Sequence, residues 1–257
     1  MNRRGTRSYA APWLIAALTL ASGALLPGSA VAAWTQKQGE GLAIVRMGAE
    51  RADTATGRES RTVLTGYAAY GWRQTVTVGA SARADRTVRA GGGSGIHLQE
   101  VAPFVRARLA EGAAGSGGWV VSVEARTGLP TGRLSGAPPR APRAWEAGAA
   151  LLAGIGHPAG DADAFAVAEA GYLHRFAGGD AEGTLSLTAG FRSASWLVYA
   201  RGGLTQGASG GGVRSLEASA VREVGGGTAF ESGLRVERDL GGGEETALLF
   251  LGLWQRF

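Results

Sequence analysis

The 257 residues contain no cysteine and only three histidines. Disulfide frameworks, iron–sulfur clusters and thiolate zinc sites are thereby excluded. Asparagine is confined to Asn2 and lysine to Lys37, and charged residues make up 18% of the chain, too few for a disordered polyelectrolyte. Beyond an apolar stretch near the start, no segment approaches the roughly 20 consecutive apolar residues of a membrane-spanning helix, so an ordinary inner-membrane protein is excluded. Glycine is in excess instead, with 44 residues and no Gly-X-Y period, which rules out collagen. Arginine supplies 25 of the 26 basic residues, a bias expected of a GC-rich genome.

The first segment reads as a targeting signal. Arg3, Arg4 and Arg7 precede an apolar stretch from Trp13 to Leu26, and Ala30-Val31-Ala32 offers small residues for cleavage. The expected division is a signal peptide at 1–32 and a mature domain at 33–257. Cleavage removes three arginines and no acid, leaving 23 basic and 21 acidic residues. The sequence pI of about 10.2 therefore overstates any affinity for polyanions, and nucleic-acid binding has no footprint.

An exported chain without a second apolar helix is either a soluble periplasmic or extracellular protein or an outer-membrane barrel, and periodicity decides between them. Val76, Val78, Ala80, Ala82 and Ala84 alternate with Thr75, Thr77, Gly79, Ser81, Arg83 and Asp85. Trp119, Val121, Val123 and Ala125 alternate with Ser122, Glu124 and Arg126, and Leu185, Leu187, Ala189 and Phe191 with Thr184, Ser186, Thr188 and Arg192. A strand puts such sets on opposite faces, one for lipid and one for water, whereas a helix would scatter the charges around its circumference. Twelve candidate strands follow, roughly at 40–51, 59–72, 74–85, 96–110, 118–127, 144–156, 165–176, 183–192, 195–204, 213–223, 228–238 and 245–257. The predicted fold is all-β: a transmembrane antiparallel up-and-down barrel of about twelve strands.

Connections and aromatics fit that topology. If the mature chain enters from the periplasm, the longest connection, Gly128 to Arg143 with four of the eight prolines, lies outside the cell, and tight turns near Arg73 and Ser193-Ala194 lie in the periplasm. Trp72, Trp119 and Trp196 then gather at the periplasmic interface and Trp145 at the opposite rim, as amphipathic rings prefer. The chain ends on an apolar strand in which Leu249, Leu251, Leu253 and Phe257 share a face. This ending resembles the C-terminal β-signal of outer-membrane barrels, which implies recognition by the barrel assembly machinery; Gln255 departs from the pattern, which usually has an apolar or aromatic residue there. Ala33-Trp34-Thr35-Gln36, Gly39-Glu40-Gly41, Glu146, Leu151-Leu152, Gly154, Gly171-Tyr172, Arg175, Gly190-Phe191-Arg192 and Trp196-Leu197 together resemble a group of uncharacterised proteobacterial outer-membrane proteins. Leu129-Pro130-Thr131-Gly132 resembles barrels of the phenol meta-pathway transporter type.

The expected inward faces carry Arg46, Arg61, Arg83, Glu100, Arg106, Arg108, Glu124, Arg126, Glu146, Glu169, Arg175, Arg192, Arg201, Glu217, Glu231 and Arg235. Long side chains of both signs in a narrow lumen can line a pore for a small solute or cross-link it into a plug. The arginine excess favours an anion. The leading expectation is a monomeric porin-like channel in a Gram-negative outer membrane; the alternative is a closed structural or adhesive barrel acting through its loops. Barrel hydrolases use Ser-His pairs with an Asn or acidic partner, yet His174 and Ser186 fall on opposite phases and the mature chain has no Asn. Neither enzymatic activity nor a cofactor nor a metal is expected.

Overall fold

A computed structural model of the chain describes residues 35–54, 57–89, 94–114, 117–129, 133–136, 145–176, 181–208, 210–241 and 245–257. The expected signal peptide, Trp34 and much of the long 128–143 connection lie outside the described residues. Every described element is a strand: β1 (Gly41–Thr54), β2 (Gly57–Arg73), β3 (Val76–Arg89), β4 (Ser94–Ala114), β5 (Gly117–Gly128), β6 (Arg133–Gly136), β7 (Glu146–Ala159), β8 (Ala162–Arg175), β9 (Glu182–Ser193), β10 (Trp196–Gly207), β11 (Gly212–Gly225), β12 (Thr228–Asp239) and β13 (Glu245–Arg256). All but β6 form one antiparallel wall in chain order. It closes where β13 pairs with β1, from Leu42 opposite Arg256 to Ala52 opposite Thr246. All twelve expected strands are present, their ends shifted by a few residues.

The alternation that predicts the strands also sets their faces. Leu185, Leu187 and Phe191 on β9 and Leu249, Leu251 and Leu253 on β13 are exposed on the outer surface. Their neighbours in sequence point inward and are more covered. An apolar outer belt of this kind is stable against lipid rather than water, and a closed wall leaves no unpaired edge in the hydrocarbon. Two-residue turns join strands at one end, as at Gln74-Thr75, Asp161 after Gly160, and Ala194-Ser195. The turn of Gly226 and Gly227 has positive φ of 61° and 76°, a conformation that needs glycine. By the rule for such barrels this turn end is periplasmic. Trp72 and Trp196 stand exposed on the outer face there, each with an arginine over its ring: Arg73 at 4.9 Å and Arg222 at 5.5 Å. Trp119 lies on the outer face over Gly112, and Trp145 is exposed at the loop end.

One element departs from expectation. The 128–143 connection contains β6, which pairs with Gly95, Ile96 and His97 of β4. The cause is a mismatch of length: β4 has 21 residues and β5 only 12. Beyond Leu129, whose N–H donates to the Val101 carbonyl, the edge of β4 would be bare. The loop folds back and covers it.

The seam ends in a reciprocal pair: Gly41 N–H donates to the Phe257 carbonyl at 2.6 Å and Phe257 N–H donates to the Gly41 carbonyl at 3.1 Å. The Phe257 ring lies where a Gly41 side chain would be. Deleting Phe257 removes both bonds, about 1 kcal/mol each, and the last apolar contact across the seam. The expected outcome is a smaller fraction of folded, heat-modifiable barrel on gels of outer-membrane fractions; an unchanged fraction overturns it.

Candidate functional site

The inward face is built around ion pairs that reach between strands. At mid-height, Arg46 of β1 donates through Nε to Glu231 Oε2 of β12 at 2.7 Å and through Nη2 to Tyr199 Oη of β10 at 2.8 Å. Tyr199 donates to Glu231 Oε1 at 2.7 Å, and Trp254 donates through Nε1 to Glu231 Oε2 at 2.8 Å. Glu217 of β11 completes the group, 3.8 Å from Arg46 Nη1. The register explains how Arg46 reaches β12 over the intervening strand. Arg46, Gly252 and Glu231 are consecutive in one cross-strand row, and the middle position has no side chain. A Cβ on Gly252 would lie 2.8 Å from Glu231 Oε2.

Similar pairs continue around the wall. Glu50 of β1 holds Arg61 at 3.2 Å and Arg83 at 3.4 Å, and Arg106 of β4 meets Glu124 of β5 at 2.6 Å. Arg175 bridges Glu146 and Glu182, both at 2.7 Å. Arg201 of β10 reaches Glu169 of β8 at 3.4 Å and donates to Ser186 Oγ of β9 at 3.2 Å. Near the turn end, Glu223 receives Arg192 at 2.6 Å and Arg256 at 2.9 Å. Arg235 pairs with Glu237 on its own strand.

Phenylalanine rings lie flat beneath some of these pairs, each directly opposite a glycine. Phe104 faces Gly79, Phe165 faces Gly190 and Phe250 faces Gly233. A Cβ on those glycines would come within 2.4, 2.7 and 2.3 Å of the rings. Arg106 then sits over Phe104 at 5.5 Å and Arg46 over Phe250 at 5.2 Å, so two walls of the lumen repeat one stack of glycine, ring, guanidinium and carboxylate. Tyr67 stacks on Phe104 with ring centroids 5.6 Å apart.

All sixteen charges expected in the lumen fall on the inward phase. Arg106 and Glu124 meet; Arg108 does not join them and turns to Glu111 and the Gln74 carbonyl. The reason is a bulge: the β4–β5 register skips Leu109, which re-aims the strand end. Glu100 and Arg126 stand outside the pairs described above. Sequence reasoning missed the inward acids Glu50, Asp85, Glu111, Asp163, Glu182, Glu223, Glu237 and Asp239, and also Arg256 and Trp254. Glu50 shares the phase of Arg46, so alternation could have found it, while Glu182 and Glu223 lie at strand margins. With these acids included, the inward acids among the described residues outnumber the arginines, and the expected arginine excess in number disappears. His174 lies on the outer face, edge-on to Phe176 at 5.1 Å, whereas Ser186 is inside, so the wall separates them.

Among solved structures, the chain is similar to an outer-membrane channel from Pseudomonas putida F1 at 12% identity, over 88% of this chain and 98% of that one, with a TM-score of 0.60. It is also similar to the translocator domain of the autotransporter NalP from Neisseria meningitidis, at 15% identity over 86% and 90% of the two chains, with a TM-score of 0.45. An anion-selective porin from Comamonas acidovorans is similar at 10% identity over 84% and 98%, with a TM-score of 0.39. No protein-family model and no curated protein matches the sequence. The closed twelve-stranded wall, its apolar outer belt and the first of these likenesses define the class: an outer-membrane β-barrel of Gram-negative type. Its lipid-facing surface sets its environment as a bilayer.

Glu231 is the residue on which the mid-height group converges, and its side chain is fully buried. Replacing Glu231 with Ala strips Arg46 of its hydrogen-bonded carboxylate and leaves it only that of Glu217 at 3.8 Å, and a loss of about 3 kcal/mol in folding stability is expected. Urea unfolding in lipid vesicles measures it. Adding Arg46→Ala should restore part of the loss, because the two residues act as one unit; simple additivity overturns this.

Proposed function

We propose that the barrel is a channel for small solutes with a preference for anions, which pass along the arginine side chains of the lumen. The observation that supports it is an asymmetry within the ion pairs. In the Arg46–Glu231 and Arg201–Glu169 pairs the acid lies against the wall, while the arginine extends towards the interior. Arg46 keeps 28% of its side-chain exposure where Glu231 keeps none, and Arg201, in the middle of β10, keeps 48% where Glu169 keeps 25%. An inward side chain half exposed at mid-height borders water-filled space. At these two positions the arginine is the charge that a solute meets. The chemistry required is passage rather than catalysis, with no cofactor.

A second reading, a closed barrel acting through its loops, draws support from other inward residues. Val63, Leu152 and Val221 are almost completely buried, so parts of the interior are filled. Electrical measurement decides between the two. The purified protein in planar bilayers is expected to show discrete conductance and, under a salt gradient, a reversal potential of anion-selective sign. Arg201→Glu should move that potential towards cation selectivity. Absence of both conductance and liposome swelling defeats the channel reading.

A further inference from the structure

The residues just ahead of β1 do not leave the barrel. Glu40 N–H donates to the Lys37 carbonyl at 2.9 Å, and Gly39 between them has φ of +84°. That is a tight reversal with glycine at the position requiring positive φ. The chain ahead of it is turned back onto the inner face of β2 and β3. Gln36 N–H donates to Thr77 Oγ1 at 2.8 Å, Gly39 N–H donates to the Gly71 carbonyl at 2.9 Å, and Gly71 N–H donates to the Glu40 carbonyl at 2.9 Å. Gly71 and Thr77 are opposite one another in the β2–β3 register and share the inward phase of Ala69 and Tyr67. The wall is shaped for this contact. A Cβ on Gly71 would lie 2.0 Å from the Lys37 carbonyl oxygen and 2.8 Å from that of Gln36, and Thr77 keeps 1% of its exposure.

We infer that Thr35–Glu40 is a strap across the inner wall of the turn end, which narrows the periplasmic mouth and whose release widens it. The inference rests on the channel reading, since a narrowing matters only where something passes. Its physical basis is that a layer of backbone inside a closed wall takes up bore on that side. The strap is held by a few backbone hydrogen bonds and one hydroxyl, without a buried apolar anchor among the described residues. Such a contact opens at a far smaller cost than the wall, whose strands are paired along their whole length. Gly71 marks the place as a receptor for the strap, because it is the absence of a side chain there that lets the Lys37 peptide approach. The strap belongs to the chain itself, so its docking depends on no second molecule.

Gly71→Val tests it. The new side chain collides with backbone rather than with a movable side chain, so the strap must lift, while valine suits the strand that receives it. Thr77→Val, which removes only the hydroxyl acceptor, is the milder second variant. Because the chain has no cysteine, Thr77→Cys introduces a single thiol under the strap, and its reaction with a bulky maleimide reports docking independently of conductance. The expected result is slow labelling of Thr77→Cys in the otherwise unchanged chain, several-fold faster labelling with Gly71→Val, and a single-channel conductance above that of the parent in Gly71→Val and, less so, in Thr77→Val. Equally fast labelling in both backgrounds overturns the docked strap. Faster labelling with unchanged conductance in a conducting barrel overturns its narrowing role and leaves the channel reading standing. A barrel that conducts in neither form defeats the channel reading and the narrowing role together, whatever the labelling shows.

Discussion

A strand in lipid has no water to satisfy its backbone, so every N–H and carbonyl must be paired laterally, and the wall must close on itself. The pairing of β13 with β1 meets that demand. Once it is met, each residue is committed to one of two faces, because successive side chains point to opposite sides. An inward charge cannot turn outward, and it cannot remain alone at modest cost in a confined interior. Its partner comes from the same wall, most often from another strand. The lumen of this chain is the outcome: Arg46 neutralised by acids of β11 and β12, Glu50 by arginines of β2 and β3, Glu146 by an arginine of β8.

Glycine makes those reaches possible. Neighbouring strands lie about 4.8 Å apart, so a pair that skips a strand must pass over whatever stands between. Gly252 provides that passage for Arg46 and Glu231. The same absence of a side chain lets Phe104, Phe165 and Phe250 lie against the wall over Gly79, Gly190 and Gly233 instead of projecting across the bore. A ring so placed loses little lumen space and offers its face to a guanidinium. The glycine excess thus has two uses in one fold. Some residues turn the chain at positive φ, as Gly226 and Gly227 do, and others make room on the inner face.

Period-two alternation makes the wall legible from sequence, since it records which residues meet lipid and which meet water. The twelve strands, the outer leucines of β9 and β13 and the inward phase of the arginines all follow from it. Reach and partner do not, because both depend on register between strands distant in sequence. Nothing local tells Arg46 that Glu231 is its neighbour, 185 residues away. Nothing local marks the skip at Leu109 that sends Arg108 to Glu111 instead of Glu124. Trp254 reads as part of an apolar ending, yet its phase turns it inward, where Glu231 takes its N–H. The strap ahead of β1 is hidden for another reason. Its only sequence sign is Gly39 before a strand, and the surface that receives it, Gly71 with Thr77, is formed only when β2 and β3 pair.

The arginine bias acquires a structural use in this setting. Lysine offers a point charge on a flexible stem, whereas guanidinium is a planar fork that can serve several acceptors and lie on a ring at the same time. Arg46 does all of this, contacting Glu231, Tyr199 and Glu217 while resting over Phe250. Arg175 divides its fork between Glu146 and Glu182. Ion pairs that span strands depend on that geometry, which also sets how far each charge is exposed. In the Arg46–Glu231 pair the carboxylate is fully buried, and the guanidinium side is what remains exposed.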